Sequence, residues 1–175
     1  LGITYPEIYD MQVEAIMTAA CEVAKSGKKV LPEIMIPLIG TAKELSILRE
    51  NAEAVAQSVL KKKKMKIKYL IGTMIEIPRA ALTADEVAEY ADFFSFGTND
   101  LTQMTLGFSR DDVGSFLPEY VEKGIYEKDP FAVLDRDGVG KVVKLGVENG
   151  RSVKEDLKLG ICGEHGGEPS SIEFC

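Results

Sequence analysis

The sequence predicts an α/β fold whose strands run parallel. Apolar runs of strand length alternate with longer stretches of helical periodicity, in the order α-β-α-β-α-β, then a helix, a long loop and a helix, then a strand and the start of a helix. No turn dipeptide sits between two alternating runs as a β-hairpin would need. Such alternation favours parallel strands joined by right-handed helical crossovers. Four strands in 175 residues are too few for a closed (β/α)8 barrel, which needs about 250 residues. Pattern alone leaves two options, a small open sheet or about half a barrel.

Each element has a local reason. Pro6-Glu7 suits a first helical turn, and Ile8, Met11, Ala15, Ile16, Ala19 and Val23 recur at helical spacing up to Gly27. Val30 to Ile36 reads as a strand, with Pro32 arguing for an edge position. Thr41-Ala42-Lys43-Glu44 is a capping box opening a helix that closes on Lys61 to Lys64. Ile67 to Glu76 is an apolar strand. Thr83-Ala84-Asp85-Glu86 reads as a second capping box, and Asp92 to Gly97 as a third strand running into a short helix near Leu101 to Leu106. Residues 109–135 are acidic and aperiodic, which predicts a surface excursion. Gly138 to Asn149 reads as a helix ended by Gly150, and Leu157 to Cys162 as a strand broken at Gly163. Pro169-Ser170-Ser171 begins a last helix with a hydroxyl N-cap.

Composition narrows the function. Hydrophobic residues at 45% and charged residues at 28% match an ordinary globular chain. Lys and Arg number 21 against 28 Asp and Glu, a net charge of −7 that argues against a nucleic-acid partner. No apolar run reaches the ~18–20 residues of a membrane helix. Three widely spaced cysteines, Cys21, Cys162 and Cys175, form no disulfide framework, and a reducing, cytoplasmic setting is expected. A first residue that is Leu1 and a last helix that stops at Cys175 predict a piece of a longer protein.

Function in parallel α/β folds gathers at the C-terminal strand ends, and three ends here are unusual. One apolar strand stops at Glu76; an aromatic strand gives way to Gly97-Thr98-Asn99-Asp100; a third ends on Cys162 within Gly160-Ile161-Cys162-Gly163-Glu164-His165. Singly, each fits a bland role: Glu76 or Thr98 to Asp100 as helix caps, Cys162 as packing, His165 as a structural histidine. Together they point to a site. Glu76 and Asp100 would meet on one rim, where two carboxylates repel unless a cation lies between them. An all-oxygen donor set with open positions suits Mg2+. A zinc site from Cys162 and His165 competes weakly, because the other thiols are distant in sequence. Gly97-Thr98-Asn99 opening a helix is a place for an anionic oxygen, with the thiol beside it as proton carrier or nucleophile.

Four stretches, Pro32 to Gly40, Gly72 to Ala81, Phe94 to Asp112 and Gly160 to Ser171, closely resemble the phosphoenolpyruvate-utilising enzymes, and the likeness spans essentially the whole chain. The resemblance implies that residues 1–175 are about half of a C-terminal (β/α)8 barrel that binds pyruvate and phosphoenolpyruvate. By the same likeness, Glu76 and Asp100 match Mg2+ ligands that also contact substrate, Gly97, Thr98 and Asn99 match substrate-binding positions, and Cys162 matches the acid/base at the substrate methyl carbon. The resemblance also implies partners: phosphohistidine and ATP-binding domains that these 175 residues lack, and a second copy in a homodimer. His165 stands in the wrong motif to be the phosphorylated histidine. The chain alone is therefore expected to be inactive. Rival readings are a family member with a different phosphoryl chemistry, a non-catalytic dimerisation module, and a generic Mg2+-dependent aldolase barrel.

Overall fold

Helices and strands alternate along the chain in the computed structural model, which describes residues 1–175. Helix α1 (Pro6–Lys25) leads into β1 (Glu33–Ile36), α2 (Ala42–Lys63), β2 (Leu70–Ile75), and two short helices, α3 (Pro78–Leu82) and α4 (Ala84–Ala88). Then follow β3 (Phe93–Gly97), α5 (Thr98–Leu106), α6 (Leu117–Glu122), α7 (Val139–Val153), β4 (Lys158–Cys162) and α8 (Pro169–Phe174). The four strands form one sheet in the order β1-β2-β3-β4, and every pair is parallel.

One face of this sheet is covered by helices. Ile34, Ile36, Ile71, Ile75, Phe94 and Phe96 alternate onto it and join the α1 residues Val13, Met17 and Cys21 and the α2 residues Leu45, Leu48, Ala56 and Val59 in a single core. Burial of that apolar surface is the main stabilising contribution. The other face, carrying Met35, Met74, Ser95, Gly160 and Cys162, is only partly covered. Polar ties fix the layers. Arg49 on α2 forks onto both carboxylate oxygens of Asp92 at 3.0 Å and also donates to the carbonyl of Ile71, while Asp92 accepts the Ile71 N–H at 2.8 Å. The buried Thr73 hydroxyl donates to Ile36 O at 2.7 Å, joining β2 to β1.

The capping box at Thr41 is present, with Glu44 N–H donating to the threonine hydroxyl and Thr41 N–H to the glutamate. Elsewhere the local reading needs correction. Strand β1 starts at Glu33, just after Pro32, whose carbonyl accepts the Leu70 N–H at 3.0 Å while its missing N–H costs the ladder nothing. Thr83 caps nothing with its side chain; it ends α3, and its hydroxyl donates back to Arg79 O. Helix α3 was not anticipated, because its five residues are shorter than two periods of an apolar pattern. Gly150 lies inside α7 and does not end it: a Cβ there would sit 2.7 Å from the Phe94 ring, so the glycine lets the helix lie against the aromatic strand. In α8 the capping roles are reversed. Glu168 is the N-cap and accepts from the Ser170 and Ser171 N–H groups, which hold its carboxyl down at about 2 together with the Ser171 hydroxyl, the largest cause. The excursion at 109–135 has its own small cluster, Val113, Leu117 and Phe131, ringed by Phe108, Phe116, Tyr120 and Tyr126 packed largely edge to face.

Phe94 is fully buried where α7 meets the sheet. Phe94→Ala should lower stability by about 3–5 kcal/mol, read as a shift of the urea unfolding midpoint.

Candidate active site

Parallel pairing sets the ends of the strands side by side. Ile75 is opposite Phe96 and Gly97 is opposite Cys162, so Glu76, Thr98 and Gly163 each follow at the same rim. There a cleft of about 360 Å³ is lined by Leu38, Met74, Glu76, Gly97, Thr98, Asn99, Asp100, Cys162 and Gly163, with Pro37 at its edge. All six residues singled out as candidate site residues lie in this one cleft. None of Thr98, Asn99 and Asp100 caps α5 with its side chain; Thr98 Oγ1 reaches Cys162 O, Asn99 Oδ1 accepts Glu164 N–H, and Asp100 accepts Gln103 Nε2.

Glu76 is only 3% exposed. Its Oε1 accepts the backbone N–H of Leu38 at 2.6 Å. Burial pushes its carboxyl above the ordinary value of 4.5, the Leu38 N–H opposes that rise, and the Asp100 carboxylate close beside it raises it further. Burial, and after it the Glu76 carboxylate, push the Tyr9 phenol upward. Asp100 is half-buried and accepts from Gln103 Nε2 at 2.9 Å. Two carboxyl groups thus confront each other in a partly dry cleft, and the donor set fits a hard cation that brings its own waters or substrate oxygens. No third His, Cys, Asp or Glu completes an all-protein cage.

The thiol side is ordered by backbone. Cys162 Sγ donates to Phe96 O at 3.5 Å, and Thr98 Oγ1 donates to Cys162 O at 3.1 Å. Gly163 has φ +95° and a Cβ there would lie 2.9 Å from Asn99 Oδ1; a Cβ at Gly97 would lie 2.9 Å from that of Glu76 and press into the Met74 sulfur. Glycine at both positions lets the neighbouring rim side chains pack this closely. His165 does not turn toward the thiol as a zinc pair would need: it is fully buried and its Nε2 meets Pro130 O. All three cysteines are free.

Leu38 went unnoticed in the sequence reading of the site. It adopts φ +56°, rare for leucine, and this turns its N–H onto Glu76. Its only signal is the Pro37 before it, which ends β1 without revealing where the next N–H points.

These 175 residues match, from 1 to 175, the family described as PEP-utilising enzyme, PEP-binding domain, and the chain belongs to that family. Within it the chain is 60% identical to pyruvate, phosphate dikinase of Clostridium symbiosum over 176 residues, covering all of this chain and 20% of that protein. It is 59% identical to the chloroplastic pyruvate, phosphate dikinase of Mesembryanthemum crystallinum over 174 residues, 99% of this chain and 18% of the relative. The chain spans about a fifth of the length of the curated relatives it matches.

The raised Glu76 carboxyl has a consequence for stability. The folded protein holds this proton more tightly than the unfolded chain does, so the stability it contributes is complete below pH 4.5 and is lost as pH rises through the raised value. Glu76→Gln keeps an oxygen for Leu38 and removes the charge. The metal-free variant should unfold at a higher temperature than wild type at pH 7, with the gap closing toward pH 4 in a series of thermal melts.

Proposed function

We propose that the chain is the pyruvate- and phosphoenolpyruvate-binding part of a pyruvate, phosphate dikinase. The longer protein would interconvert ATP, phosphate and pyruvate with AMP, pyrophosphate and phosphoenolpyruvate. The observation that carries this reading is the meeting of Glu76, Asp100 and Cys162 in one cleft at the C-terminal rim of the sheet. The names of relatives near 60% identity support the choice of reaction.

In this reading Glu76 and Asp100 hold Mg2+ and place the substrate. When bound, the ion supplies fixed positive charge against the negative charge that develops on the substrate's carbonyl oxygen. Gly97, Thr98 and Asn99 offer backbone N–H groups and short polar side chains at the start of α5 to the substrate carboxylate. Cys162 Sγ takes a proton from the methyl carbon of pyruvate, or returns one to the methylene carbon of phosphoenolpyruvate in reverse. Thiols ionise close enough to neutral pH for that exchange.

The same reading makes residues 1–175 about half of a (β/α)8 barrel. Curvature of the sheet supports it. Lys158 on β4 pairs with Glu33 on β1 across the partly covered face. On a flat sheet those strands would stand about 14 Å apart, at the limit of what an extended lysine and glutamate can span, so the contact favours a curled sheet. A groove of about 450 Å³ beside β4, lined by Val143, Val147, Leu159, Ile161 and Phe174, is available for a further βα unit. ATP-binding and phosphohistidine domains would come from the rest of the longer protein, in a homodimer within a reducing compartment such as the cytoplasm.

Cys162→Ala in the full-length gene product should slow Mg2+-dependent exchange of pyruvate methyl protons with deuterated water by about 10²–10⁴-fold, followed by proton NMR. Oxalate, which mimics the enolate, should still bind with Mg2+ in a calorimeter; retained exchange would remove Cys162 from the chemistry. The 175-residue chain by itself should form no phosphoenolpyruvate in a coupled assay, and turnover there would overturn the division of labour between domains.

A further inference from the structure

The turn that follows Cys162 is short, rich in glycine and mostly exposed. Between Cys162 and Glu168 the residues are Gly163, Glu164, His165, Gly166 and Gly167, and His165 is the one buried among them. Gly163 sits in the left-handed region, and Glu164–Gly167 form one short 3-10 turn: Gly166 N–H donates to Gly163 O at 3.1 Å, Glu168 N–H to His165 O at 3.3 Å, and Glu164 N–H to Asn99 Oδ1 at 3.3 Å. Three glycines in five residues leave the backbone free to take many conformations.

His165 supplies the turn's one buried side-chain anchor. It has no exposed surface, and its Nε2 lies 2.9 Å from the carbonyl of Pro130, near the far end of the acidic excursion. A carbonyl can only accept, so the proton sits on Nε2. Nδ1 is enclosed without a protein partner. The near end of the excursion holds the same turn: the Arg110 guanidinium pairs with Glu164 at 2.8 Å, and Arg110 N–H donates to Gln103 Oε1 at 2.7 Å, the residue whose amide grips Asp100. Just after the turn, Leu134 N–H donates to Ser171 Oγ at 3.0 Å. The excursion therefore straps the thiol's turn at both ends, with one buried contact and one exposed ion pair. The exposed pair contributes little by itself, whereas the buried one has no water to replace it.

We infer that His165 is a positioning residue for Cys162: by hydrogen bonding Pro130 it pins the glycine-rich turn to the 109–135 excursion and so fixes the sulfur relative to the Glu76–Asp100 pair. The inference rests on the proposed proton-transfer role of Cys162. It gives the excursion a task that its acidic, aperiodic sequence does not reveal.

The test uses the full-length gene product with His165→Leu and His165→Gln. Leucine fills the space without a donor; glutamine places an Nε2 donor at similar reach. His165→Leu should slow methyl proton exchange by about 10- to 100-fold, as a misplaced reacting group does. Affinity for Mg2+ and oxalate, which depends on the carboxylates, should stay within about twofold, and His165→Gln should restore most of the rate. The rate of Cys162 alkylation by iodoacetamide, read by mass spectrometry on the Cys162 peptide, should change in His165→Leu and return in His165→Gln. If the leucine variant does not fold, His165→Asn, too short to reach Pro130, takes its place. Unchanged exchange and alkylation, or loss of exchange in step with loss of oxalate binding and of folded protein by circular dichroism, would overturn the inference. Absence of exchange in wild type would instead sink the proposed function, and the alkylation comparison would then decide the role of His165 alone.

Discussion

Parallel pairing is the constraint from which the site follows. Strands that all run one way all finish on one rim, and the register here finishes them together: Ile75 beside Phe96, Gly97 beside Cys162. The side-chain period of two then decides which face each group uses. Met74, Ser95, Gly160 and Cys162 share the partly covered face, while their neighbours Ile75, Phe94, Phe96 and Ile161 turn the other way, Phe94 and Phe96 into the helix-covered core. A slip of one residue in β4 would put Ile161 at the rim and bury the thiol against α7. The apolar face thus polices the register of the polar one, because any slip would move phenylalanine and isoleucine side chains out of the core into water.

The carboxylate pair is held at a disadvantage by the same scaffold. Burial and Asp100 both push the Glu76 proton affinity up, and only the Leu38 N–H pulls it down. That N–H is aimed by a leucine in a left-handed conformation, a strained arrangement found where surrounding structure over-determines the backbone. Strain in the β1–α2 connection and repulsion at the strand ends are two local penalties at one spot. The divalent ion of the proposed function would offset the repulsion between the two carboxylates.

Much of this was legible in the residues, for identifiable reasons. Long elements announced themselves: α1, α2 and the four strands have enough periods or enough continuous apolar length to fix their type. Glu76, Gly97 to Asp100 and Cys162 stood out because polar residues at the end of an apolar strand have no packing role to explain them. Failures came where a residue's job is set by a distant neighbour. Gly150 looks like a helix stop until Phe94 is seen against it. Thr83 fits a capping box by spacing, yet a preceding five-residue helix claims it first. Leu38 contributes only its backbone, which sequence does not display. The aromatic cluster at 108–126 carries no regular period, since its rings gather across turns and not along one helix.

His165 belongs to the same class of residue. Read alone among glycines it fits a structural histidine, with a zinc pair to Cys162 as a weak competitor. Its complete burial and its bond to a carbonyl from another segment agree with the structural role. A side chain that spends its donor on backbone contributes order, and order matters most where glycines are frequent. Gly163 lets the turn pack close to Asn99 and Thr98, and Gly166 and Gly167 add backbone freedom to the segment that follows the sulfur. One buried imidazole holds that segment at a single point of the chain.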